Sequence, residues 1–203
     1  MSGLLAPLLP EGVFGAELFD RGQDAPLSPE GAALVAGSSE KRRRDFALGR
    51  ACARAALEQA GLHAPVGRSP HGAPVWPPGV RGSITHTEGY AAAIVARQGD
   101  FGGLGVDAER IGRVEERLWP RLFNTAERAR LAAHGDPAVM ATLLFAAKEA
   151  AFKASNPPAG AALQFQALHI EAAGDGTFAV HGGAGEGRYA VGGGLVLACV
   201  FAP

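Results

Sequence analysis

The chain has 203 residues, 47% of them hydrophobic, and a formal net charge of −1. That length suits one large domain or two small halves sharing a core, and the apolar fraction excludes wholesale disorder. The near-zero charge excludes a strong global field for nucleic acid, so no nucleic-acid partner is expected and any anion site must come from local clustering.

No stretch approaches the roughly 20 apolar residues that cross a bilayer. The apolar N-terminal patch has no basic start and is interrupted by Pro7 and Pro10. It does not read as a signal peptide, and no membrane partner is expected. Cys52 and Cys199 sit among alanines and aliphatic residues and read as small buried hydrophobes. The expected placement is cytoplasmic.

In chain order, residues 11 to 35 read as irregular, with short apolar pieces around Val13, Phe14, Leu18 and Phe19. A helix is predicted over 39–59, capped by Ser38 or Ser39 and ended by Gly61. Residues 64–82 are a proline- and glycine-rich loop. A short extended piece at 83–86 leads to a strand at 90–96, and a second strand is predicted at 104–109. A helical region follows at 114–133. A long helix over 138–154 is stopped by Asn156-Pro157-Pro158. Strand-like runs at 168–172, 177–181, 187–190 and 195–201 alternate with glycine clusters at 182–187 and 192–194, which read as hairpin turns. Helix-then-strands occurs twice. The predicted fold class is therefore α+β, in two similar halves covering 1–103 and 104–203.

Four constellations could carry chemistry. In Gly105-Val106-Asp107-Ala108-Glu109, strand alternation puts Asp107 and Glu109 on one face and Val106 and Ala108 on the other. Two adjacent carboxylates repel unless a cation or proton intervenes. Oxygen ligands without His or Cys favour a hard ion such as Mg²⁺. The plain alternative is a solvated strand end. In the second, Lys148, Glu149 and Lys153 lie on the long helix, with Glu149 and Lys153 four apart on one face. The alternative is a surface ion pair. In the third, Ser83, His86 and Thr87 offer donors at a strand end that would suit phosphate oxygens. The fourth is the arginine cluster Arg42, Arg43, Arg44, Arg50 and Arg54, of which Arg43, Arg50 and Arg54 share one face of the first helix. It would suit phosphate, and the alternative is a solvated basic face. The match Gly103-x-Gly105-x-x-Ala108 to a dinucleotide fingerprint is set aside, because it lies inside a predicted strand rather than opening a helix.

Taken in order, these segments resemble the larger, single-chain 4′-phosphopantetheinyl transferases of the enterobactin-synthase branch. The pieces are Leu48-Gly49-Arg50, His71-Gly72-Ala73-Pro74-Val75-Trp76-Pro77, Gly82-Ser83-Ile84-Thr85-His86, Gly105-Val106-Asp107-Ala108-Glu109, Phe123-Asn124-Thr125-Ala126-Glu127 and Lys148-Glu149-Ala150-Ala151-Phe152-Lys153. The resemblance implies a pseudo-twofold pair of halves with coenzyme A in the cleft between them.

It also implies transfer of the phosphopantetheine arm of coenzyme A to a serine of an apo acyl, peptidyl or aryl carrier protein, releasing 3′,5′-ADP. Asp107, Glu109 and Glu149 would hold Mg²⁺, with Mn²⁺ possible. The serine hydroxyl then needs a base, either Glu149 directly or a metal-bound water, with Lys153 adding positive charge and Lys148 steadying the leaving phosphate. Arg43, Arg50, Arg68, His71, Ser83, His86 and Lys153 would contact coenzyme A. Some relatives carry a lysine where this chain has Ala73, so that phosphate contact would either be lost or be supplied by Arg68, His71 or Arg50. A mixed basic and apolar stretch at Arg117, Arg121, Leu122 and Phe123 is the expected carrier surface, with core packing the alternative for Leu122 and Phe123. The doubled architecture implies a monomer.

Two other readings stand beside this one. One is a non-catalytic coenzyme A or carrier-binding module, and the other is an unrelated Mg²⁺-dependent phosphohydrolase. A degenerate module should lose carboxylates first, and all three are present.

Overall fold

The computed structural model describes residues 3–20, 26–27, 29–158, 160–182 and 185–203. Part of the expected irregular stretch (21–25 and 28) and part of one expected hairpin turn (183–184) lie outside the described residues.

The first sheet has the order β1–β5–β4, built from β1 (Phe14–Phe19), β4 (Val80–Thr87) and β5 (Tyr90–Arg97), all antiparallel. Helix α2 (Glu40–Gln59) starts where the Ser39 hydroxyl accepts the Arg42 N–H. It buries Leu48, Cys52, Ala53, Ala56 and Leu57 against Ala91, Ala93 and Val95 of β5. The alternate residues Tyr90, Ala92 and Ile94 face the second sheet. Strand β5 is thus covered on both faces, which is why it reads as a continuous apolar run.

The second sheet has the order β6–β10–β9–β8–β7, from β6 (Gly103–Arg110), β7 (His169–Ala172), β8 (Thr177–His181), β9 (Glu186–Gly192) and β10 (Leu195–Ala202). Leu104, Val106 and Ala108 of β6 pack with Leu195, Leu197 and Cys199 of β10 against the first sheet. The opposite face carries helix α5 (Pro137–Ala154), whose Ala146, Ala147, Ala150, Ala151 and Ala154 are buried. The layers therefore run α2, first sheet, second sheet, α5, and the expected α+β class is observed.

Gly103 and Gly105 set how close α5 lies. A Cβ at either would overlap the backbone carbonyl of Ala154 or Ala150. The glycine pair that mimics a dinucleotide fingerprint is a packing device, since glycine in a strand marks close backbone approach.

Three expectations on local structure change. The stretch taken as irregular holds β1 and a short helix α1 (Pro29–Ala33), and the 64–82 loop contains a two-stranded ladder of β2 (Gly67–Arg68) and β3 (Pro74–Val75). The helical region at 114–133 is broken into a 3₁₀ turn (Glu116–Leu118), α3 (Trp119–Leu122) and α4 (Thr125–Ala133). The break falls at Asn124, whose side chain and that of Glu127 form a capping box. Such a box satisfies two orphan N–H groups and favours starting a new helix there.

At one edge of the two sheets, β4 and β6 run alongside each other without a backbone ladder. Side-chain hydroxyls join them instead: Ser83 Oγ accepts the Val106 N–H at 3.1 Å and Thr85 Oγ1 accepts the Ala108 N–H at 3.0 Å. The candidate site sits on this seam.

Candidate active site

Asp107 and Glu109 share the face of β6 that meets α5, as alternation requires. Asp107 is only 6% exposed, so the solvated strand end is excluded. Its Oδ1 accepts from Lys153 Nζ at 2.6 Å and from Thr85 Oγ1 at 3.1 Å, and Lys153 also donates to the Val106 carbonyl. Asp107 Oδ2 and Glu109 Oε2 are buried without a hydrogen-bond partner among the described residues. Arg113 approaches Glu109 Oε2 only to 3.8 Å.

Electrostatics reflects this crowding. Burial, and then the charge of Asp107, push the Glu109 carboxyl up to about 7, against the pull of Arg113 and Lys153. Burial and Asp107 also raise Glu149, with Lys153 opposing. Among the described residues, no three acidic, imidazole or thiol groups form a finished metal cage. The donor set nonetheless fits a hard cation, because two buried carboxylate oxygens on one strand face lack a partner and every candidate ligand is oxygen.

Two cavities flank the seam. One, of about 150 Å³, is lined by Arg42, Asp45, Phe46, Arg50, Arg68 and His86 among others. The other, of about 370 Å³, takes in Ala73, Trp76, Ser83, Ile84, Phe152 and Lys153. Pro74 and Ile84 line both. A cationic pocket thus adjoins a more apolar one that Lys153 borders. Arg50 donates to the Gly67 carbonyl at 2.8 Å and lies 4.6 Å over the Phe46 ring. Its guanidinium pKa is lowered by burial and then by the nearby charge of Arg68, which favours an anion between the two. His86 is likewise pushed down by burial, with Asp45 opposing.

Not every expected residue converges. Arg43 turns away, donating to the Ser38 carbonyl, and Arg42 lines the cationic pocket instead. Arg54 lines another cavity, toward the C-terminal part of α2, which shares Arg50 with the cationic pocket. His71 is exposed on the turn beside Gly72. Ser83 is 4% exposed, with its oxygen engaged at the seam.

Lys148 requires a correction. It is fully buried and donates to Glu127 Oε2 at 2.7 Å and to the carbonyls of Leu122 and Phe165. Glu127 in turn accepts the N–H groups of Asn124 and Ile170. This pair ties α4, α5 and β7 together and has no access to the cleft, so Lys148 is structural. Phe123 is also fully buried, which removes it from the expected docking surface. Arg121 is exposed, and Arg117 is exposed and paired with Glu115.

One residue that the sequence reading gave no role, Thr85, touches Asp107, and of the arginine cluster it is Arg42 rather than Arg43 that lines the cationic pocket. Strand alternation could have found Thr85: Ser83, Thr85 and Thr87 share one face, and His86 points to the other.

A lysine against a buried carboxylate, acidic oxygens without hydrogen bonds and an adjoining cationic pocket together suit an anionic ligand held with a cation. Comparison with known proteins agrees. Residues 30–96 match the 4′-phosphopantetheinyl transferase N-terminal domain, and residues 103–200 match the 4′-phosphopantetheinyl transferase superfamily. The 4′-phosphopantetheinyl transferase Npt of Nocardia iowensis is 40% identical, over 82% of this chain and 76% of its own. The 4′-phosphopantetheinyl transferase Svp of Streptomyces mobaraensis is 39% identical, over 97% and 88%. Among solved structures, a holo-(acyl-carrier-protein) synthase of Bacillus anthracis superposes on 50% of this chain and 96% of its own, at 20% identity and a TM-score of 0.44. The chain belongs to the 4′-phosphopantetheinyl transferase family. It is a transferase of that type, acting with coenzyme A on carrier proteins.

Proposed function

We propose that the seam between β4 and β6 is where this chain moves phosphopantetheine, with Asp107, Glu109 and Glu149 holding Mg²⁺ or Mn²⁺. The observation that carries this reading is the buried pair of Asp107 Oδ2 and Glu109 Oε2, neither with a hydrogen-bond partner among the described residues. A divalent ion bound there would neutralise charge on the pyrophosphate of coenzyme A.

The remaining roles follow from position. Arg42, Arg50, Arg68 and His86 bind the phosphates at the adenosine end, as the charge of their pocket favours. The phosphopantetheine arm lies toward Trp76, Ile84 and Phe152. Lys153, which borders the second pocket, balances negative charge at the reacting phosphate. Glu149 takes the proton of the carrier serine as its oxygen attacks the β-phosphorus. The bond from that phosphorus to the bridging oxygen breaks, and 3′,5′-ADP leaves. Burial and Asp107 raise the Glu149 carboxyl, a direction that favours its taking up a proton.

The halves 1–103 and 104–203, related by a pseudo-twofold axis and acting as one cytoplasmic monomer, complete the proposal. Each half carries one long helix on one antiparallel sheet, which favours this division. Arg117 and Arg121, both exposed, form its carrier-facing surface.

The test is a mixture of protein, coenzyme A, Mg²⁺ and an apo carrier protein, followed by the mass of the carrier. A gain of one phosphopantetheine arm supports the reading. Phosphate release with an unchanged carrier, or binding with neither outcome, contradicts it.

A further inference from the structure

The two oxygens of Asp107 are held differently. Oδ1 takes two donors, Lys153 Nζ at 2.6 Å and Thr85 Oγ1 at 3.1 Å, while Oδ2 is buried with none among the described residues. An ionised carboxylate can only accept, so the proton between Thr85 and Asp107 belongs to the threonine. The orientation of that hydroxyl is fixed from behind. Its oxygen accepts the Ala108 N–H at 3.0 Å, which leaves its proton free for Asp107 alone. Thr85 is 3% exposed, and its branched side chain is stiff about χ1. Lys153 reaches the same oxygen on a long flexible stem and is 30% exposed. Of the two donors, threonine is the rigid one.

Thr85 also lies on β4, in the first sheet, whereas Asp107 lies on β6, in the second. The alignment of the sheets therefore sets the orientation of the carboxylate.

We propose that Thr85 is a positioning residue that holds Asp107 so that Oδ2 is left to meet a divalent cation. Removing the Thr85 donor frees the carboxylate to rotate and to spend both oxygens on Lys153. This inference rests on the metal reading above, and its test separates the two.

Mn²⁺ binding is measured directly, by the loss of the free-ion electron paramagnetic resonance signal, on the full chain with saturating coenzyme A. Wild type, Thr85→Val and Thr85→Ser are compared. The expected result is a loss of about tenfold or more in Mn²⁺ affinity for Thr85→Val, the size that groups orienting a metal ligand usually carry, with Thr85→Ser near wild type. Coenzyme A affinity without metal should stay the same in all three. Equal Mn²⁺ affinity in wild type and Thr85→Val overturns the proposal. So does a tenfold loss in Thr85→Ser, which decides the matter even where Thr85→Val fails to fold. Absence of Mn²⁺ binding in wild type overturns the metal reading itself.

Discussion

Lys153 donates to Asp107 at 2.6 Å across the contact between α5 and β6. The contact is this close because Gly105 leaves no Cβ between β6 and the Ala150 carbonyl. Replacing Lys153 with methionine should keep the fold, since the side chain is 30% exposed and its stem can still pack. Transfer should drop by about 10² or more, as for other charge-stabilising donors. Steady-state rates beside a thermal melt check both halves of this expectation.

Gly105→Ala tests the packing that brings the site together. Its methyl would meet backbone rather than a flexible side-chain end, so α5 must move off β6. Both stability and transfer should fall, the first by about 1–3 kcal/mol as for other overpacked sites. Denaturant unfolding of the variant measures it.

The buried pair makes the opposite prediction from Lys153. Lys148→Met removes the partner of a fully buried Glu127 and should cost about 3–5 kcal/mol. For a chain of this size, that lowers Tm by about 10 °C. A Lys148→Met variant as stable as wild type would return Lys148 to consideration as a cleft residue.

Titration of Glu109 gives a pH signature. Its folded value, about 7, lies above the ordinary 4.5. A raised carboxyl stabilises the fold fully below its unfolded value, and that contribution is lost as pH rises through the folded one. In chelator-treated protein, the Tm difference between wild type and Glu109→Gln should therefore shift against wild type between about pH 5 and pH 8. Mg²⁺ requires the ionised form, so its stabilisation of wild type should be large at pH 8 and small at pH 5.

Arg50→Ala should raise KM for coenzyme A more than it lowers kcat. Its loss opens the cationic pocket and releases the Gly67 carbonyl, but leaves Asp107 and Lys153 in place. An unchanged KM removes Arg50 from the site.

Much of this was legible in the sequence. Alternation along β6 put Asp107 and Glu109 together, and helical spacing put Glu149 beside Lys153. The same spacing sets Lys148 about 140° round the helix from Lys153, so its burial was readable too. The resemblance drew attention away from that geometry. Thr85 was hidden for a different reason. Its role depends on β6 lying against β4, a pairing between edges of two sheets that no local pattern encodes. Arg42 and Arg43 are neighbours on one helix turn, and only the position of the 67–74 ladder decides which one faces the pocket. Strand β1 was missed because its pattern is broken by Gly15 and Glu17. Glu17 earns its place by accepting the Leu4 and Leu5 N–H groups and the Tyr90 hydroxyl.

The central claim is that the carboxylates at the seam hold the ion that drives transfer. Its most direct test is the Mg²⁺ dependence of carrier mass gain in wild type and Asp107→Asn, two proteins of nearly equal shape. Wild type should load the carrier only with a divalent cation present, and Asp107→Asn should not load it at any Mg²⁺ concentration while melting as a folded protein. Loading by Asp107→Asn at the wild-type rate, or by wild type in the presence of chelator, would contradict the account.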